Sequence, residues 1–369
     1  MTYLIQALIA GALTALLIVW LRRPALRFGL VDHPGGRKRH GESVPLTGGL
    51  AITVATFVAL SVSFGPLHDY RVLFVAMLLL AVIGLLDDLG EVSPRSKLGV
   101  QVLAAVLMTS WGNHFLLSLG DILARGPISL NNWAIPLTVF ATVAVINAVN
   151  MFDGVDGLAG GLVLVILAFF AYFAWSAGDV NALKLLVVLI GAIAGFLLFN
   201  APLPWRGDRR VFMGDTGSLV LGFVVVWFSI DFTQRADNAV PPVVMLWIVG
   251  VLLLDVFTVT ARRILRRRDP AAPDRAHIHH LLLRRGYSAT KTMLILLAAN
   301  AGLGAIGVLG WRNGVSEATL FFVFFALGLV YLTVFLYPGR WLYGRRRVAN
   351  GGSRSPTIAS DEKTPPPPG

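Results

Sequence analysis

The sequence predicts an all-α fold: a polytopic integral membrane bundle of about eleven transmembrane helices, with the N-terminus outside and the C-terminus cytoplasmic. Three observations predict it. Of 369 residues, 56% are hydrophobic and only 14% charged, against about 25% charged in a soluble domain. The apolar residues gather into segments near the ~20 residues that a helix needs to cross a hydrocarbon core. The basic residues fall almost entirely on alternate connections, which gives the bundle a direction.

The first segment, 3–21, has no basic stretch ahead of it and is too long for a signal-peptide core. It ends in Leu21-Arg22-Arg23, so it reads as an uncleaved anchor. Further segments follow at 46–64, 71–86, 98–112, 133–150, 161–178, 183–200, 217–233, 240–261, 292–311 and 318–337, with 71–86 and 98–112 the short ones. If the first runs from outside to inside, 26 of the 31 Lys and Arg lie on the inner side. Only Arg71, Arg125, Lys184, Arg235 and Arg312 lie outside, as expected for an extracytoplasmic N-terminus. The organisation is therefore a transmembrane domain over 1–343 with cytoplasmic loops, then a tail over 344–369. That tail, with Arg345-Arg346-Arg347 and a terminal proline run, reads as a basic membrane-proximal segment followed by disorder.

With no cysteine, disulfides, thiolate metal sites, iron–sulfur clusters and a cysteine nucleophile are excluded, and any metal must be held by oxygen or imidazole. The net charge of +11 reads as topology plus loops for anionic ligands, and no nucleic-acid partner is expected. Four polar clusters interrupt the apolar pattern on the inner side: Asp87-Asp88-Leu89-Gly90, the run Asn147 to Gly161 (NAVNMFDGVDGLAGG), Phe212-Met213-Gly214-Asp215-Thr216-Gly217-Ser218, and Asp274-Arg275-Ala276-His277-Ile278-His279-His280. Thirteen acids lie inside, six outside, and Asp255 alone falls within a span. A coupled transporter keeps its acids near the midplane, whereas these converge on one face. Acids and histidines at one membrane face suggest an enzyme that handles a phosphorylated substrate with a divalent metal.

These motifs, in this order and with this topology, resemble the polyprenyl-phosphate N-acetylhexosamine-1-phosphate transferase family (glycosyltransferase 4 family), in its bacterial WecA-like branch. The similarity runs from about Val31 to Gly286 and includes the basic loop Asp32-His33-Pro34 to Gly49. The resemblance implies transfer of an N-acetylhexosamine 1-phosphate, GlcNAc-1-phosphate first, from a UDP-sugar to undecaprenyl phosphate with release of UMP, initiating a lipid-linked glycan at the bacterial inner membrane. It implies Mg²⁺, or Mn²⁺, as cofactor. The histidine loop lacks the acid that follows the histidines in the muramoyl-pentapeptide branch. A homodimer is the expected assembly. Another UDP-N-acetyl sugar is the alternative donor, and a transporter of an anionic lipid or solute the alternative class.

Joining two phosphate-bearing substrates gathers negative charge, so hard carboxylate ligands and cationic side chains are needed. By resemblance Asp156 and Asp215 hold the metal; the other reading is that each caps the helix beginning nearby. Asp87 and Asp88 would point about 100° apart on a helix and so take different duties. Asp87 resembles the base or lipid-phosphate positioner, and Asp88 its supporting acid. Lys97 either offers an ammonium to phosphate or snorkels at a helix entry. Asn150 and Asp153 are expected at the substrate, and the resemblance puts His277, His279, His280 and Arg275 at the diphosphate, with a zinc site as the other reading of the histidines. Phe212 resembles the ring that stacks on uracil and Asn200 the residue that binds the base, unless both are interface anchors. Asp255 reads as a structural hydrogen-bonding group, with support of a lipid-phosphate site second. The glycines of 154–161 read as tight turns and close helix packing.

Overall fold

The computed structural model describes residues 2–32, 43–63, 68–90, 92–204, 206–207, 209–235, 240–267 and 277–336. Arg275, the basic cluster of the first loop at 37–39 and the tail over 344–369 lie outside the described residues. Each predicted apolar segment holds a helix among its described residues. The helices are α1 (Thr2–Phe28), α2 (Gly48–Ser63), α3 (Arg71–Leu89), α4 (Pro94–Ser110), α5 (Ala134–Phe152), α6 (Leu158–Ser176), α7 (Val180–Asn200), α8 (Gly214–Thr233), α9 (Pro242–Ile248), α10 (Gly250–Leu265), α11 (Ile278–Arg284), α12 (Ala289–Arg312) and α13 (Glu317–Phe335). The strands described are the short antiparallel pair β1 (Val31–Asp32) and β2 (Val44–Pro45), with Val31 opposite Pro45.

Among the described residues, eight helices are long and apolar enough to cross a membrane, and nine if the bent pair α9–α10 is one span. The protein is thus an all-α, multi-pass membrane protein. Two of the remaining predicted segments make shorter helices, α2 with 16 residues and α4 with 17. The first turn of α4 carries Pro94, Arg95, Ser96 and Lys97, capped by the Ser93 hydroxyl, so its charged end faces the polar region rather than lipid.

The segment predicted over 240–261 is broken: α9 and α10 meet at an 82° bend. Such a break leaves backbone groups without helical partners, which is costly within a bilayer. The Asn300 side chain, fully buried on α12, supplies them by accepting from Val251 N at 3.2 Å and donating to the Ile248 carbonyl at 3.0 Å. Nothing in the local pattern of 240–261 announces a partner 50 residues downstream.

Helix α8 forms the centre and is buried along nearly its whole length, with Phe223, Trp227 and Phe228 inaccessible. Helix α3 closes on it at Gly84, where a Cβ would stand 2.5 Å from Thr216 Cα, closer than packed atoms approach. Peripheral helices instead expose apolar side chains, among them Leu4, Leu8, Leu16 and Trp20 of α1 and Phe322 and Phe325 of α13. That surface suits acyl chains.

Candidate active site

The polar residues assemble at one end of the bundle, where α3, α5 and α7 finish and α4, α6 and α8 begin. Gly84 and Asp88 lie one turn apart on the same face of α3, so the close approach at Gly84 brings Asp88 onto the start of α8. Asp88 accepts from Asp215 N at 2.8 Å, Thr216 N at 3.1 Å and Thr216 Oγ1 at 2.7 Å. No side chain caps α8 from its own N-cap position, so Asp88 satisfies the free amides of a helix that is not its own. Gly214 makes this possible: its φ is +72°, and a Cβ would lie 2.5 Å from Asp88 Oδ2. The capping reading of Asp215 is thereby corrected, because Asp88 occupies those amides.

Asp87, one residue earlier, turns away as helical spacing requires. Its Oδ1 accepts from Val92 N at 3.0 Å and its Oδ2 from Lys97 Nζ at 2.7 Å. Lys97 also donates to Asp215 Oδ2, so one ammonium joins two carboxylates from different helices. Snorkelling does not describe it. Asp215 Oδ1 accepts from Asn150 Nδ2 at 2.9 Å, and the same amide lies 2.8 Å from Ser218 Oγ, one turn further along α8. Asp87, Lys97, Asp215 and Asn150 are therefore one partly exposed constellation built from α3, α4, α8 and α5.

The connection after α5 brings in two more acids. Asp153 keeps some surface exposure, but its carboxyl group is desolvated. Burial pushes its pKa well above the usual carboxylate value, aided by the negative charges of Asp215, Asp88 and Asp156, while a hydrogen bond from the Gly214 amide pulls the other way. Asp156 faces elsewhere: its Oδ2 accepts from Arg206 at 2.7 Å and its Oδ1 from Arg210 at 2.6 Å. Asn200, expected at the base, is buried and binds backbone at both ends of its amide, accepting from Gly157 N at 2.7 Å and donating to the Val211 carbonyl at 2.9 Å. Gly157 has φ +75°, the conformation that ends this loop and starts α6. Phe212 is partly exposed, with the Arg210 guanidinium 4.6 Å from its ring centroid. Arg206 and Arg210 were not singled out from the sequence. The signal was a basic Arg206, Arg209, Arg210 group just before the Gly214-Asp215 turn.

The histidines form a separate row against the same loop. His277 Nδ1 lies 2.7 Å from Asp255 Oδ2, while Asp255 Oδ1 accepts from Ile278 N at 2.8 Å and from the Tyr331 hydroxyl at 3.2 Å. The acid inside a span therefore anchors α11, in keeping with its structural reading. His279 is completely buried, stacks parallel to His277 at 5.8 Å and lies 5.4 Å from the Phe152 ring and 4.2 Å from His280. Neither of its ring nitrogens has a hydrogen-bond partner among the described residues. Burial, with His280 and His277 beside it, holds its pKa well below the usual imidazole value, so it is neutral.

Among the described residues no three His, Asp or Glu side chains form a metal-binding group. The donor chemistry nevertheless suits a hard divalent ion at Asp87 and Asp215, whose Oδ2 atoms already converge on a single cationic atom, Lys97 Nζ. Mg²⁺ is commonly held by one or two carboxylates plus waters and substrate phosphates, so two oxygens from the protein are enough. The expected pairing of Asp156 with Asp215 is less suited, since both Asp156 oxygens face guanidinium groups.

Fold and site together define a multi-pass membrane protein with a carboxylate–lysine centre at one end of its bundle. Residues 70–233 match the profile described as glycosyl transferase family 4. The undecaprenyl-phosphate alpha-N-acetylglucosaminyl 1-phosphate transferase of Haemophilus influenzae is 36% identical over 344 residues, covering 93% of this chain and 97% of that protein. Proteins of the same name from Pasteurella multocida and Escherichia coli O157:H7 are 33% and 34% identical, covering 94% and 86% of this chain and 98% and 87% of their own lengths. The chain belongs to this family of glycosyl transferases.

Proposed function

We propose that the protein transfers GlcNAc-1-phosphate from UDP-GlcNAc to undecaprenyl phosphate and releases UMP, at the cytoplasmic face of the bacterial inner membrane and with eleven spans in all. The names of its relatives support the acceptor and the sugar phosphate. The observation that carries the reading is the Asp87–Lys97–Asp215 centre at a bundle end, where a phosphate on an apolar chain and a soluble nucleotide can meet. A lipid-phosphate oxygen attacks the sugar-bearing phosphorus, and the bond to UMP breaks as the new P–O bond forms. Asp87 orients the lipid phosphate, Lys97 offsets the gathering negative charge, and Asn150, itself bonded to Ser218, fixes Asp215. Mg²⁺ held by Asp215 and Asp87 would neutralise phosphate charge. Acids gathered at one end, rather than at the midplane, do not favour transport.

Purified protein should release UMP from UDP-GlcNAc only when undecaprenyl phosphate and Mg²⁺ are both present; release without lipid would refute acceptor transfer. Asp215→Asn keeps the shape and an oxygen for Asn150 but loses the anionic ligand. It should retain the thermal midpoint, lose most activity and need more Mg²⁺. Near-normal activity at low Mg²⁺ would remove Asp215 from the metal site.

A further inference from the structure

Asp156 has both carboxylate oxygens engaged by arginine, Oδ2 by Arg206 and Oδ1 by Arg210. Two guanidinium groups on one carboxylate leave a net positive charge at this corner. The arrangement is braced from several sides. Arg206 Nη1 also donates to the Asn200 carbonyl at 2.9 Å, the Asn200 side chain ties Gly157 to Val211, and Arg210 lies over the Phe212 ring. A buried donor is left over: Arg210 Nε has no hydrogen-bond partner among the described residues. Buried donors are rarely left unmet, and a guanidinium fork matches phosphate oxygens.

We propose that Asp156 is a positioning residue that holds Arg206 and Arg210 as a paired guanidinium clamp for a phosphate of the nucleotide donor. This rests on the function proposed above and assigns its nucleotide side. Phosphate could reach the clamp from the nucleotide or from the lipid. The nucleotide is favoured because Arg210 shares its position with Phe212, an aromatic ring beside a charged fork, and a nucleotide presents a flat base and a diphosphate together. Asp87 and Lys97, by contrast, come from the separate α3 and α4 elements.

The test uses the full-length protein in detergent, as wild type and as Asp156→Asn, Asp156→Glu, Arg206→Gln, Arg210→Gln and Arg210→Lys. Three quantities are read: the Kd of UDP with metal chelated, the KM of undecaprenyl phosphate, and the Mg²⁺ concentration giving half-maximal rate. Each Arg→Gln change should weaken UDP binding about tenfold or more. Asp156→Asn should do the same by releasing both forks, with partial recovery in Asp156→Glu. The lipid KM and Mg²⁺ midpoint should hardly move. Asp156→Asn combined with Arg210→Gln should cost less than the product of the single effects, because the two act as one unit.

Unchanged UDP affinity in folded Arg206→Gln and Arg210→Gln overturns the clamp. A raised lipid KM alone overturns the nucleotide assignment, and a raised Mg²⁺ midpoint in Asp156→Asn at unchanged UDP affinity makes Asp156 a metal ligand. If Asp156→Asn loses its fold, Arg210→Lys decides, since it keeps the charge but not the fork and should still weaken UDP. UDP affinity needs no turnover, so it judges the clamp separately from wild-type UMP release, whose failure would refute the proposed function itself.

Discussion

Asp87 and Asp88 are adjacent and chemically identical, yet the helix sends them to different partners. Asp88 satisfies three donors at the start of α8, whereas Asp87 meets Lys97 and one amide. Leaving buried donors unmet costs about 1–3 kcal/mol, so Asp88→Ala should clearly lower the thermal midpoint in detergent. Asp87→Asn should leave the midpoint nearly unchanged and cut turnover more than UDP-sugar binding. Equal losses of turnover and nucleotide affinity would move Asp87 to the nucleotide side, and an unaltered midpoint in Asp88→Ala would end its capping role. His279 offers a pH test. Its folded pKa lies below the usual 6.5, so as pH falls through that value the unfolded chain takes up a proton that the folded protein refuses. Stability present above pH ~6.5 should fall with acidification, by at most about 1.4 kcal/mol per pH unit from this residue. His279→Gln should therefore show a smaller drop in midpoint between pH 7.5 and pH 5.5 than wild type; equal drops would count against a neutral buried imidazole.

At the scale of elements, the site depends on how closely α3 approaches α8. Gly84→Ala would put a Cβ 2.5 Å from the Thr216 backbone. Backbone cannot swing aside as a side chain can, so α3 should shift and loosen the Asp88 cap. Overpacking of this kind costs about 1–3 kcal/mol, and both midpoint and turnover should fall. Gly99→Ala is the contrast: nothing lies within 4 Å of its Cβ position, and within a helix alanine is favoured by about 0.5–1 kcal/mol. A Gly84→Ala enzyme as stable and active as Gly99→Ala would show that the approach is not critical. The bend between α9 and α10 follows the same logic in reverse, since there a distant side chain, Asn300, replaces helical hydrogen bonds.

Across the whole molecule, a second charged cluster occupies the end opposite the candidate site. Arg235 joins Asp231 and Asp179, and Asp231 also holds His114, which stacks on Trp227 at 4.3 Å. These contacts tie the residues beyond α4 to the start of α7 and the end of α8. Basic residues are scarce at this end of the bundle, as expected for an extracytoplasmic face, so the orientation can be tested directly. A reporter fused after Gly344 should respond as cytoplasmic and one fused ahead of the N-terminus as extracytoplasmic. Both reporters on one side would overturn the odd number of spans.

The sequence by itself determined the all-α membrane class, the positions of the apolar helices, and the four polar clusters, because hydropathy and helical spacing are local properties. It also determined that Asp87 and Asp88 diverge, since 100° per residue needs no tertiary information. Only the tertiary structure decided which groups meet. Asp88 rather than Asp215 caps α8 because Gly84 lets two helices touch. Asp156 faces Arg206 and Arg210 because the loops after α5 and α7 lie side by side. The break between α9 and α10 is held by Asn300 of α12, about fifty residues downstream. Partnerships between residues tens of positions apart are set by packing, which no window of sequence contains.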